Sequence, residues 1–172
     1  MKKNSISITA PDWDRSHPVE SFQAYADRIH KQAKETLVQD GNHAEMFFFL
    51  TISGNGHLML WRNSDRDLEA KWLRKHISAH YVYGVIHVVE AWMRLAKGTN
   101  DPLFQKVRSG EMRVSELPSA ERQEALLVSA QSRDGWAMSW CDQIQRYADG
   151  KPMLGSCIET GDFEGRFGKL FG

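Results

Sequence analysis

Cysteine is scarce in this chain, with only Cys141 and Cys157 among 172 residues. Small disulfide-dependent extracellular domains carry many more, so the sequence predicts free thiols and a reducing, cytoplasmic location. The basic start, residues 1–8, lacks the apolar core of a secretory signal, which predicts the same location. A chain of this length buries about 70% of its unfolded surface and needs no disulfide or metal to fold.

Net charge and long apolar runs are missing as well. The 22 basic residues balance the 22 acidic ones, whereas a dedicated nucleic-acid-binding domain carries a basic excess. No segment reaches the roughly 18 apolar residues that a membrane helix needs. The sequence therefore predicts a protein without a membrane segment and without a dedicated nucleic-acid-binding domain, and a local basic patch is the alternative.

The motifs of several common enzyme classes are absent too. The chain contains no Gly-x-Gly-x-x-Gly fingerprint, no phosphate-binding Gly-x-x-x-x-Gly-Lys-Ser/Thr loop and no Gly-x-Ser-x-Gly elbow. His43-Ala44-Glu45 matches the start of the zinc deaminase signature, but the Pro-Cys-x-x-Cys that completes the signature does not occur. No cofactor is predicted, and the sequence leaves open whether the protein is an enzyme.

The longest β-branched apolar run, residues 82–93, is the segment around which we expect the fold to form. Its β-branched and aromatic residues favour a strand, and Gly84 disfavours a helix by about 1 kcal/mol. Helical spacing is also present in four of its residues, Val85, Val88, Val89 and Trp92, so a helix is the alternative. We favour a central strand, and because both of its faces are apolar it should be covered on both sides.

Apolar residues at helical spacing predict two long helices, at residues 18–39 and 65–80. Turn signals predict hairpins at Gly54-Asn55-Gly56, Asp134-Gly135 and Asp149-Gly150. Further strands are predicted at residues 5–9, 45–53, 57–62, 122–131, 136–146 and 153–159, and a short helix at 102–107. The predicted fold is α+β, a mostly antiparallel sheet of five or six strands with the two long helices packed on one face. The predicted division is a loose leader at 1–15, one domain at 16–160 and a tail at 161–172.

His76 and His80 are the candidate metal ligands. Residues four apart share one face of a helix, so two imidazoles can converge on one ion. A third ligand would come from His87 or Glu90, provided that the strand runs back beside the helix. The alternative is that these are partly buried histidines, which donate to backbone or carboxylate groups.

Glu90 is the candidate catalytic residue, as a general acid or base. An unpaired carboxylate in a covered strand would have a raised pKa, and such groups are common in active sites. The alternative is a structural pair with an arginine, for which Arg94 and Arg122 are available, or a position near the strand end with access to solvent.

Aromatic residues provide the candidate partner contacts. Phe163, Phe167 and Phe171 recur every four residues and would form one apolar stripe on a helix. The stripe either packs on the domain or inserts into the groove of a protein partner. Together with Trp136, these residues could also form an exposed apolar patch or a homodimer face.

Three segments carry a family resemblance: Val89-Glu90-Ala91-Trp92-Met93, Glu121-Arg122-Gln123-Glu124-Ala125-Leu126 and Ser132-Arg133-Asp134-Gly135. This series resembles a loose group of small uncharacterised bacterial and phage proteins, over roughly residues 43–145. The resemblance implies the same strand order and no known reaction. We therefore expect a small binding or accessory protein associated with a phage or mobile element. The alternative is a metal-assisted hydrolase that uses His76, His80 and Glu90.

Overall fold

The computed structural model describes residues 5–61, 66–98, 100–161 and 170–171. Its strands are β1 (Ser5–Thr9), β2 (Met46–Thr51), β3 (Asn55–Leu60), β4 (Val82–Met93), β5 (Gln123–Ser132), β6 (Ala137–Arg146) and β7 (Pro152–Thr160). Its α-helices are α1 (Pro18–Asp40), α2 (Arg66–Ala79) and α3 (Pro102–Arg108). Two short 3-10 turns, Val114–Glu116 and Ser119–Glu121, follow α3. Among these described residues, no helix combines the length and the apolar character of a membrane-crossing segment.

The strands form one antiparallel sheet in the order β1-β3-β2-β4-β5-β6-β7. The prediction of a central strand is confirmed, because β4 lies in the middle of the sheet and pairs with β2 and β5. The α+β class is also confirmed. The sheet has seven strands, more than the five or six expected, because all of the individually predicted strands join it, including the one at residues 5–9, which pairs with β3 along its full length.

The two long helices pack on opposite faces of the sheet, so the prediction that they share one face is wrong. Helix α1 packs with Phe48, Ile86 and other residues of one apolar cluster, whereas α2 packs with Phe47 and Val85 in a second cluster. Neighbouring residues of a strand point to opposite faces, which places the two clusters on different sides. We call these sides the α1 face and the α2 face. Strands that are apolar on both faces need a cover on both faces.

Local features fix how α1 meets the sheet. The helix ends at Asp40 and is capped by Gly41, whose φ of 83° is the left-handed conformation that glycine adopts readily. In the centre of the sheet, the ring of Phe22 lies where a side chain of Gly84 would stand, only 2.3 Å from an ideal Cβ position. The absence of a side chain at Gly84 therefore lets α1 approach the middle of β4.

The described end of the tail packs on the α2 face. Leu170 is buried in the α2-face cluster, and its backbone N–H donates to Oε1 of Gln131 at 3.2 Å. Phe171 is partly buried against the same cluster. Phe163 and Phe167, which belong to the predicted stripe, lie outside the described residues.

Candidate functional site

Three histidines meet on the α2 face, and we call them the imidazole cluster: His57, His76 and His80. His76 and His80, the metal ligands that the sequence suggested, lie side by side at the end of α2, with ring centroids 4.3 Å apart. His57, which the sequence did not single out, comes from β3, and its Nε2 lies 2.7 Å from Nε2 of His76. The ring centroid of His57 is 4.9 Å from that of His76 and 6.2 Å from that of His80.

Aromatic packing orients these imidazoles. His57 stands directly opposite Phe49 in the β2–β3 ladder, so both rings project from the α2 face and stack at 5.0 Å. Trp72 lies one helical turn before His76 and stacks on its ring at 4.5 Å, with an interplanar angle of 24°. The strand pairing and the helical repeat thus hold His57 and His76 against each other.

The surroundings of His57 favour its neutral imidazole. Burial lowers the pKa of His57, and the nearby His80 lowers it further. A contact of 2.7 Å between two ring nitrogens needs one N–H donor and one lone pair, so the imidazoles of His57 and His76 cannot both be protonated. Neutral imidazole is the form that ligates metal ions. His80 is exposed, so the cluster is open to solvent on one side.

The structure does not bring Glu90 to this cluster. Glu90 shares the α1 face with Ile86 and Val88, two and four residues earlier in β4, and so lies on the opposite side of the sheet from His76. One carboxylate oxygen of Glu90 accepts the backbone N–H of His43, and the other lies 3.0 Å from Arg146. Burial raises its pKa, against the opposing effects of these two contacts.

The structural alternative for Glu90, a pair with an arginine, matches this geometry, although the partner is Arg146. The arginines that the sequence suggested have other contacts. Arg94 pairs with Asp101 at 2.6 Å and also with Glu121, and the guanidinium of Arg122 lies over the ring of Trp92 at 4.4 Å.

His87, the other proposed third ligand, lies on the α2 face but has a different polar contact. It is buried, and its ring stacks on that of Phe47 at 4.2 Å. Its Nε2 lies 2.9 Å from Oε1 of Glu45. His87 is therefore part of a buried histidine–carboxylate pair that packs into the core.

The candidate partner-binding aromatics do not form one surface. Trp136 is half-buried on the α1 face, where its ring makes an edge-to-face contact with Phe22 at 5.7 Å. Phe171 packs on the α2 face. These two residues thus lie on opposite sides of the sheet, and a role in partner binding stays a prediction for each separately.

Sequence reasoning missed His57, although a signal for it was present. The Asn-Gly turn predicts the β2–β3 hairpin, and the register of that hairpin places His57 opposite Phe49. The sequence does not show on which side of the sheet α2 packs. That side decides whether the ring of His57 contacts the ring of His76.

Comparisons of the chain with protein-family models, with curated proteins and with solved structures gave no match. The resemblance to small bacterial and phage proteins therefore stays a prediction. Functional inference thus depends on the chemistry of the residues that the fold brings together.

Proposed function

We propose that this protein binds a divalent transition-metal ion through His57, His76 and His80. The observation that carries the proposal is the approach of the Nε2 atoms of His57 and His76 to 2.7 Å, with the ring of His80 beside them. Imidazole nitrogens are ligands for zinc, copper and nickel, and three of them leave an open coordination position.

The spacing of His57 and His76 suits a single ion, and His80 must turn toward them to add a third nitrogen. Nitrogens bound to one tetrahedral zinc ion lie about 2.0–2.1 Å from the metal and roughly 3.3 Å from one another. The pair at 2.7 Å would need to open by only about half an ångström to admit the ion. His80 follows the last residue of α2 and is exposed, so rotation of its side chain can bring a third nitrogen to the ion.

Metal binding is favoured over the metal-assisted hydrolase that the sequence offered as an alternative. That hydrolase requires Glu90 beside His76 and His80, whereas Glu90 lies on the α1 face in contact with Arg146. The sequence predicts a small binding protein, and a metal ion would be the molecule that this protein binds. Its cytoplasmic location and its association with a phage or mobile element stay predictions.

Metal titration of tag-free protein tests this proposal. Isothermal titration with Zn²⁺ and Ni²⁺ should show one equivalent of ion that depends on the imidazole cluster. In His57→Ala and in His76→Ala that equivalent should be lost or bound at least about tenfold more weakly. His17→Ala is the matched control, because His17 is an exposed histidine near the start of α1 whose contact is Asp14. Unchanged affinity and stoichiometry in both cluster variants would overturn the proposal.

A further inference from the structure

A second group of ligand-type side chains lies on the α1 face, and we call it the mixed-ligand cluster: His30, Asp142 and Cys157. His30 comes from α1, Asp142 from β6 and Cys157 from β7. Each residue offers one ligand atom, and the three atoms lie within 4.8 Å of one another. Nε2 of His30 is 2.5 Å from Oδ2 of Asp142.

Strand pairing and helix packing produce this group. Asp142 and Cys157 are direct partners in the β6–β7 ladder, so their side chains leave the sheet on the same face. His30 follows Ile29 on the side of α1 that meets the sheet, and its ring stacks on that of Trp140 at 5.0 Å with an interplanar angle of 17°. Three separate elements therefore deliver one imidazole, one carboxylate and one thiol to the same point.

The surroundings of Asp142 resemble those of a ligating carboxylate. Its side chain is only 1% exposed, and a buried carboxylate needs charged or hydrogen-bonding partners. Oδ2 faces His30, while Oδ1 lies 3.1 Å from the ammonium group of Lys34. Carboxylates that bind metals are typically oriented by such outer contacts, so Lys34 can hold Oδ1 while Oδ2 binds an ion.

A nucleophilic cysteine is the competing interpretation, and the connectivity disfavours it. In that chemistry a histidine lies between the thiol and the carboxylate and takes the proton from sulfur. Here Nε2 of His30 contacts the carboxylate of Asp142 at 2.5 Å, and Cys157 stands directly opposite Asp142 in the β6–β7 ladder, so the imidazole is not placed between the thiol and the carboxylate. The three ligand atoms lie close to one another and do not form a chain of thiol, imidazole and carboxylate.

We propose that His30, Asp142 and Cys157 form a second metal site, selective for zinc-class ions and joining α1 to the β6–β7 edge of the sheet. The thiol loses its proton to the solvent as the sulfur–metal bond forms, and the ion replaces the hydrogen bond between His30 and Asp142. A thiolate ligand selects Zn²⁺, Cd²⁺ or Co²⁺ over Mg²⁺ and Ca²⁺. Cys157 is exposed, which provides the entry path and an open fourth position.

Cobalt substitution tests this site independently of the imidazole cluster, because only a thiolate ligand gives a sulfur-to-cobalt charge-transfer band. Reduced, tag-free protein titrated with Co²⁺ should develop that band in the near ultraviolet, and in a variant that lacks His57, His76 and His80 the band should saturate at one equivalent. Cys157→Ser should abolish the band, and His30→Ala should weaken Co²⁺ binding at least about tenfold. Zn²⁺ should displace the cobalt, whereas Mg²⁺ should not.

Cys141→Ser is the matched control and should retain the band. Cys141 is half-buried next to Asp142 in β6 and projects from the opposite face, with its sulfur near Met93. A triple variant that lacks His57, His76 and His80 should also retain the band. The absence of the band from the wild-type protein overturns this second site, and so does its persistence in Cys157→Ser; neither result bears on the imidazole cluster.

Discussion

At the scale of single residues, Gly84 shows how one missing side chain sets the distance between two layers. It lies in the buried central strand, where a glycine weakens the strand by leaving nothing to pack. The ring of Phe22 from α1 fills that space, and Phe22 also makes edge-to-face contacts with Tyr83 and Trp136. The glycine therefore serves close packing of α1 on β4.

Gly84→Ala should destabilise the protein by about 1–3 kcal/mol, because the added methyl group would overlap the ring of Phe22. Urea unfolding followed by circular dichroism measures this change. Gly155→Ala is the matched control, since a Cβ at this position in β7 would stand 3.5 Å from its nearest neighbour, an ordinary contact. An equal loss of stability in the two variants would contradict this explanation.

At the scale of elements, Arg146 at the end of β6 joins three other parts of the fold. Its guanidinium donates to Glu124 of β5 through two hydrogen bonds, at 2.7 and 2.9 Å, and to Glu90 of β4 at 3.0 Å. It also donates to the carbonyl oxygen of Gly41 at the end of α1, at 2.8 Å. The guanidinium of Arg146 therefore binds the partly buried carboxylates of Glu90 and Glu124 and holds the C-terminal end of α1.

Arg146→Met should lower the free energy of unfolding by about 1–3 kcal/mol, because it leaves Glu90 and Glu124 close together without a cation. Adding Glu90→Gln to this variant should recover part of the loss, because one of the repelling charges is removed. Lys151→Met, which removes a cation from an exposed pair, should stay within about 0.5 kcal/mol of the wild type. No recovery in the double variant would mean that repulsion is not the cause.

The sequence predicted the elements better than their arrangement. Residues 82–93 and the Asn-Gly and Asp-Gly turns reveal the strands and hairpins, because β propensity and turn chemistry are local properties. The face on which each helix packs is not local: β4 is apolar on both sides, so its pattern cannot assign α2 to one of them. The alternation along β4 does show that His87 and Glu90 point to opposite faces, so at most one of them could have joined His76.

At the scale of the whole molecule, charge sets the response to acid. The contact with Arg94 holds the pKa of Asp101 well below its usual range, and the contact with Arg146 lowers the pKa of Glu124. Carboxylates with a lowered native pKa stabilise the fold fully above their ordinary pKa values of about 4, and this stabilisation is lost as the pH falls. The ionisation of Glu90 affects the stability of the fold in the opposite direction, because burial raises the pKa of this carboxyl group.

The free energy of unfolding should therefore fall between about pH 5 and pH 2, and Asp101→Asn should flatten that fall. The difference in stability between the wild type and this variant should be largest near neutral pH and should narrow below about pH 4. Urea titrations at several pH values in the presence of a chelator measure both curves. Parallel curves for the wild type and Asp101→Asn would contradict the prediction.

The alternation of Phe47 and Phe48 in β2 has a consequence for cooperativity. The two apolar clusters share the backbone of β2 and β4. When the helix on one face separates from the sheet, these strands stay packed on the other face only. If either helix separates from the sheet, the packing of the other helix on the shared strands is weakened as well. The protein should therefore unfold both helical layers in a single cooperative transition.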